Sequence, residues 1–553
     1  MRLGITILLL IVAGVIIHFI TNTIRKRNNK IIEKNILQKE EQIDRKIDYS
    51  RWNTLSYLCK KEQCLIDEIT SNDVDMGDLF ARMNYCTSPL GEEYLAYLLH
   101  NPTNDKKELE RREKIISFYE KHDEKRILVK KLFAKIRKTK YEAIFEYVDV
   151  LFDAPKKQIF IHYMCLVDIL LSILLAKYAG VAGLVAIIVS ILFNIGTYFL
   201  DKAYFDCYTY PISIIEDIVN FDYKIPPELE SLIGTNGMML GEETKELKRL
   251  FRFARIVYSK DFMAGDLGEL FMDNVRMLTH IDFIYFHFQI NSIKKQKKKI
   301  LDIMYKLGYL ESLVSVSSFR KSLDYFCIPE WKENEDTLEI ECLYHPLIEE
   351  PVENSIHIKN SVLLTGSNAS GKSTFLKTVA LNLIMAQTVC TCTAKKFKSD
   401  FYHVMTSMAL RDSLDKNESY YIAEIKAVKR IMDADRNIKV FCCIDEILRG
   451  TNTVERIASA AHILKYLKEE KRLCVAATHD IELTYMLDGI YDNYHFCETC
   501  KGDEVVFDYR LKEGRNTNRN AIKLLGALGV AKEVIKGAEK SAECFEESNQ
   551  WSL

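Results

Sequence analysis

The sequence predicts a chain of the α plus α/β class: a helical domain with transmembrane helices, followed by a phosphate-loop (P-loop) domain. Three observations predict it. Residues 361–374 read SVLLTGSNASGKST, residues 440–446 read VFCCIDE, and residues 159–200 hold two apolar runs. Each of those runs is about one bilayer long. Apolar residues at helical spacing flank them, as at Leu95, Leu98 and Leu99.

The first stretch joins a short apolar strand (Val362, Leu363, Leu364) to Gly366, four variable residues, and Gly371-Lys372-Ser373. This is the G-x4-G-K-S/T spacing with a strand before it and a helix after it. Its glycines let backbone N–H groups curl around a phosphate chain, and the helix begun near Ser373 adds its positive end. The pattern implies a nucleotide-binding loop of Gly366, Ser367, Asn368, Ala369, Ser370, Gly371, Lys372, Ser373 and Thr374. Lys372 would reach the terminal phosphates of ATP, and Ser373 would help hold Mg2+. The alternative is a Gly-rich turn that matches by accident.

The second stretch is an apolar run ending in two acids, as when a buried parallel strand delivers carboxylates to a sheet edge. Asp445 is placed to hold the Mg2+ shell, and Glu446 to orient or deprotonate an attacking water. A third run, LCVAATHD, puts His479 at another strand end, where it could sense or polarise a γ-phosphate. A strand-end His taken alone is more often structural. Following two matched motifs, it joins Glu446 and Lys372 as a candidate catalytic residue. Together the three runs imply ATP hydrolysis.

At 553 residues the chain is long enough for two to four domains. A formal net charge of −2 advertises no global attraction to nucleic acid, and fifteen cysteines without a regular framework fit a reducing compartment. Cys497 and Cys500 have zinc-like spacing, but no second pair answers them, so a surface turn with two thiols is expected.

In chain order, Leu3 to Ile20 is almost purely apolar and lacks a following A-x-A-like cleavage site. Arg25, Lys26, Arg27 and Lys30 outnumber the single Arg2 before the span, which places the N-terminus outside the cell. Residues 1–27 therefore read as an anchor and 28–50 as a charged helical stalk. Residues 51–158 form the first part of a helical core, broken at Asn101-Pro102, with Thr103, Asn104 or Asp105 capping the next helix. Residues 159–200 read as a transmembrane hairpin turning at Lys177-Tyr178-Ala179-Gly180, with Asp168 tolerable if it faces the partner helix. A buried hairpin in a soluble core is the alternative. Three spans return residues 201–553 to the cytoplasm of a multi-pass cell-membrane protein, against a lipid bilayer.

Residues 201–335 are the second helical part. They include the basic cluster Lys294, Lys295, Lys297, Lys298 and Lys299, read as a solvated helix face rather than a site for DNA or anionic lipid. Residues 336–525 hold the nucleotide-binding domain, with strands at 338–345 and 361–365, and 526–553 a terminal helical segment that packs on a second copy.

With these motifs in order, the chain resembles the MutS family. The family's T-G-P-N-M-S-G-K-S-T is matched by Thr365 to Thr374, its D-E-I-G-R-G-T-S-T by Asp445 to Thr453, and its A-T-H by Ala477-Thr478-His479. Tyr344 to Glu349 resembles the family's R-H-P-V-V-E, and the likeness extends over about 55–150 and 300–540. The resemblance implies a homodimer with composite ATP sites, in which Ser419 of the signature loop reaches a neighbour's γ-phosphate. A helix cap is the other reading of Ser419. It further implies double-stranded DNA as a candidate partner and switching of helical levers as the output.

Departures from the family are specific. Only a span and a stalk precede the core, so mismatch-reading and connector domains are expected to be absent. The adenine-stacking Phe is replaced by Val352, with Tyr509 able to supply a ring, and the usual S-Y-G is Asn518-Arg519-Asn520. A DNA-tethering module and a transport ATPase are the rival readings. Against transport, NESYYIAEI stands where ATP-binding-cassette transporters carry L-S-G-G-Q.

Overall fold

The computed structural model describes residues 30–42, 49–138, 143–154, 159–221, 226–230, 245–252, 266–333, 335–367, 369–408, 420–501, 504–515 and 530–548, with a few single positions between. The anchor at 3–20, Asn368, Ser419 and Asn518 to Asn520 lie outside the described residues.

Helix α1 (Pro89–Leu99) starts where Ser88 accepts a hydrogen bond from Gly91 N and proline takes the first helical position. Helix α2 (Lys106–Lys121) starts at Asp105, whose carboxylate accepts from Lys107 N at 2.9 Å, so Asp105 is the cap among the three candidates. Both pack on a 25-residue helix that runs Lys297–Lys321 and buries Glu311 and Arg320. The Glu311 carboxylate accepts from Thr87 N at 2.7 Å and Ser88 N at 2.9 Å, which satisfies the chain just before α1. Residues 30–41 are helical as expected of the stalk, yet Glu40 accepts from Lys130 Nζ at 2.7 Å and Ser318 Oγ at 3.0 Å. The end of this helix is docked on the core, because a half-buried carboxylate there meets buried cations.

The hairpin consists of α3 (Phe160–Ala179) and α4 (Val181–Val219), joined at Gly180 with φ of 52°. Both are long and apolar enough to cross a membrane, by length and composition. Helix α4 extends past residue 200 to Val219 because Phe205, Ile212, Ile215 and Ile218 bury themselves in the helical core. Polar residues face inward along the hairpin. Ser190 Oγ donates to Asp168, and Asn194 Nδ2 donates to Cys165 O at 3.0 Å. Outward positions such as Leu171 and Ile188 are 58% exposed.

Helices α5 (Ile281–Lys295) and α6 (Lys297–Lys321) meet at Gln296, within the basic cluster. There Lys297 lies 4.9 Å above the Phe152 ring and Lys299 is 3.7 Å from Glu246.

Twelve described strands form the second domain: β1 (Glu330–Trp331), β2 (Leu338–Leu343), β3 (Asn354–Ile358), β4 (Val362–Thr365), β5 (Lys396–Ser399), β6 (His403–Ser407), β7 (Val440–Asp445), β8 (Leu473–Thr478), β9 (Asp492–His495), β10 (Glu498–Lys501), β11 (Glu504–Phe507) and β12 (Lys512–Glu513). Strand β1 pairs with β5, so this domain starts before residue 336. The six-stranded sheet has the order β12-β9-β4-β8-β7-β6, parallel except for β12. Strands β4, β7 and β8 are buried on both faces, as their unbroken apolar runs require. A smaller sheet, β1-β5-β2-β3, and the β10–β11 hairpin complete the domain.

The two domains interlock through buried ions. Arg320 donates from Nε to Thr391 Oγ1 at 2.8 Å, from Nη2 to Cys390 O at 2.8 Å and from Nη1 to Glu113 Oε1 at 3.0 Å. Arg112 donates to Thr388 O at 2.8 Å, and Thr406 Oγ1 donates to Asp73 at 2.7 Å.

Candidate nucleotide-binding site

Register in the parallel sheet lines up three strand ends. Thr365 of β4 sits beside Thr478 of β8, and Ala477 of β8 sits beside Asp445 of β7. The residues that follow each strand therefore meet at one carboxyl edge, where parallel sheets place ligands. The phosphate loop leaves β4 at Gly366, whose φ of 149° and crowding forbid a side chain. A Cβ there would lie 2.7 Å from Phe496 O. Ala369 (φ 64°) and Gly371 (φ 106°) are also left-handed, and helix α7 (Lys372–Val389) begins at once.

Lys372 folds over the loop and donates to Gly366 O at 2.8 Å and Ser367 O at 2.9 Å. Its Nζ is 3.4 Å from His479 Nε2, and burial lowers its pKa from the ordinary lysine value. Ser373 Oγ donates to Asp445 Oδ2 at 2.5 Å, while Asp445 Oδ1 is buried without a hydrogen-bond partner. A hydroxyl and a carboxylate with an unsatisfied oxygen form a donor set that fits a hard cation such as Mg2+. His479 Nε2 is 2.7 Å from Glu446 Oε1. Burial would raise the Glu446 pKa, but the His479 hydrogen bond, with Arg449 and Lys372 nearby, holds it below the usual carboxylate range.

Lys372, Ser373, Asp445 and Glu446 line one cleft of about 1620 Å³ with Ala369, Ser370, Gly371, Thr374, Val352 and Tyr509, and His479 stands behind it on Glu446. Ser367 instead turns its hydroxyl to Glu498, at 2.8 Å. Tyr509 approaches the loop from the opposite wall, its ring 3.3 Å from where a Cβ at Gly371 would stand, and Asn354 Nδ2 bonds its carbonyl at 3.0 Å. Among the described residues no group of three metal-ligating side chains occurs. Cys497 accepts a hydrogen bond from Lys512 at 2.8 Å, as a thiol in a turn does.

Sequence reasoning missed the far wall. Asp75, Met76, Gly77 and Asp78 of the helical domain line the same cleft, and Asp75 pairs with Lys377 of α7 at 2.5 Å. Nothing local marks residues some three hundred positions away as neighbours of the loop. Burial, with Lys377 close by, pushes His345 on this wall down to about 4, so it stays neutral at physiological pH.

Residues 362–546 match the family model described as MutS domain V. The chain is similar to MutS protein homolog 4 of Homo sapiens, with 28% identity over 292 residues, 49% of this chain and 30% of that protein. It is similar to the DNA mismatch repair protein MutS of Petrotoga mobilis, 28% identical over 280 residues, 48% of this chain and 32% of that protein. The MutS of Pseudothermotoga lettingae is 32% identical over 209 residues, 35% of this chain and 25% of that protein. The chain thus spans between a quarter and a third of the length of these curated relatives.

Proposed function

Because the chain belongs to the MutS family, we propose that it is an ATPase that binds ATP in this cleft and uses hydrolysis to switch its helical domain. One observation carries the reading: Lys372, Ser373, Asp445, Glu446 and His479 converge at three adjacent strand ends. Mg2+, held by Ser373 and Asp445, would neutralise phosphate charge. Lys372 would exchange its two loop carbonyls for phosphate oxygens. Glu446, fixed by His479, would orient the attacking water, and little covalent work is asked of the protein. Tyr509 would lie against the base where Val352 offers no ring.

Asp75 of the helical domain, through Lys377, ties the helix behind the loop to the lever side, which supports a mechanical output. A second copy would complete the site through Ser419. The names of the two bacterial relatives concern DNA mismatch repair, and duplex DNA is proposed as a partner on that relation alone. The apolar outer face of the α3–α4 hairpin supports membrane attachment, and the basic residues after the first apolar run favour the cytoplasmic side for the nucleotide-binding domain.

The test is Lys372→Ala in the full-length chain, read by equilibrium fluorescence with a labelled ATP analogue. Loss of charge-assisted phosphate contacts predicts affinity lower by about 10- to 100-fold. Affinity unchanged from wild type would remove the cleft as the nucleotide site.

A further inference from the structure

The turn after β7 is unusual in its backbone. Glu446 (φ 56°) and Leu448 (φ 59°) are both left-handed, although neither is glycine. A buried leucine in that region persists only where its surroundings over-determine it. Here they do. Glu446 N donates to Ala477 O at 3.0 Å, tying the start of the turn to β8. At its other end a Cβ on Gly450 would meet Tyr421 Cβ at 3.1 Å, so helix α8 (Tyr420–Met432) presses directly on the backbone.

Arg449 projects from this fixed turn into the cleft. Its Nε is 2.6 Å from Glu446 Oε2 and its Nη2 is 3.7 Å from Asp445 Oδ2. The Nε–H is not aligned for a hydrogen bond, so the contact is an ion pair held by charge and position. Glu446 is therefore gripped on both oxygens, by His479 on Oε1 and by Arg449 on Oε2. A carboxylate held at one oxygen can swing about its terminal bond. Held at both it cannot, and each oxygen keeps a lone pair for a water.

We propose that Arg449 is a positioning residue for hydrolysis: from its strained turn it spans Asp445 and Glu446 and fixes the orientation in which Glu446 presents a water. The proposal rests on the ATPase reading above. Arg449 touches neither water nor phosphate in this role and acts through Glu446. The competing view is an ordinary ion pair that merely neutralises two neighbouring acids.

The test uses the full-length chain in detergent, comparing wild type, Arg449→Gln, Arg449→Lys, Glu446→Gln and the double variant. Expected for Arg449→Gln is a kcat at least about tenfold lower, with affinity for a labelled ATP analogue within about twofold of wild type, as loss of orientation alone predicts. Arg449→Lys should recover only part of the rate, because an ammonium lacks the planar fork that spans two carboxylates. The double variant should be no slower than Glu446→Gln alone, since one residue works through the other. The proposal is overturned if Arg449→Gln keeps its kcat, if affinity falls in step with rate, or if the two losses multiply. Wild type that binds nucleotide but never turns it over would overturn the ATPase reading, and this one with it.

Discussion

Glu40 shows how a single carboxylate can fasten the helix over residues 30–41 to the core. Burial would raise its pKa, but Lys130 and Arg126 hold it down at about 2, against an ordinary value of 4.5. A depressed carboxylate pKa gives stability that is complete above the unfolded value and lost as pH falls through the folded value. The window is therefore about pH 4.5 down to about 2. Glu40→Gln should cost about 2 kcal/mol at neutral pH, after allowance for partial exposure. Over that window the gap between wild type and variant should close, which acid titrations of thermal stability would reveal. A gap constant with pH would count against the pairing. Of the site residues, Lys372, Ser373, Asp445, Glu446 and His479 were legible because each is fixed by local spacing to a strand end. Arg449 was not singled out, since its partners emerge only when the turn brings it back over two acids.

Helix α6 is the element that joins the two halves, and its polar residues carry the joint. Arg320 is 1% exposed and bonded to the helical core through Glu113 and to the second domain through Thr391 and Cys390. Arg320→Met keeps the bulk but takes the cation from the half-buried Glu113 carboxylate, which keeps only Ser117 as a donor, and removes the guanidinium from the Cys390 carbonyl. Breaking a buried pair from one side costs about 3–5 kcal/mol. Denaturant unfolding of the variant should show that loss, and a change under about 1 kcal/mol would mean the joint is carried by apolar packing instead. The helix itself could be read from IKKQKKKILDIMYKLGYLESL, but not that Glu311 and Arg320 are buried. Sequence pattern places charged residues outside by default, and only their partners from residues 87, 88, 113 and 391 reverse that. The hairpin was legible as apolar runs, whereas the extension of α4 to Val219 was hidden by the tyrosines and acids that follow residue 200.

At the scale of the whole molecule, an apolar hairpin, a helical core and a six-stranded, mostly parallel sheet share one chain. The hairpin keeps Asp168, Ser190 and Asn194 inside and leucines outside, the reverse of a water-soluble pair. If that face meets lipid, Leu171→Arg with Ile188→Arg should release the chain from vesicles in a flotation gradient, each arginine costing about 2.5–3.5 kcal/mol at mid-bilayer. Undiminished flotation would assign attachment elsewhere. Behind all of this stands the proposed hydrolysis at the edge shared by β4, β7 and β8. Phosphate release by the full-length chain in lipid vesicles, set beside its Glu446→Gln counterpart, tests it most directly. The account predicts steady release by the wild type and a rate at least about a hundredfold lower in the variant, which still binds nucleotide. Equal rates from the two proteins would contradict it.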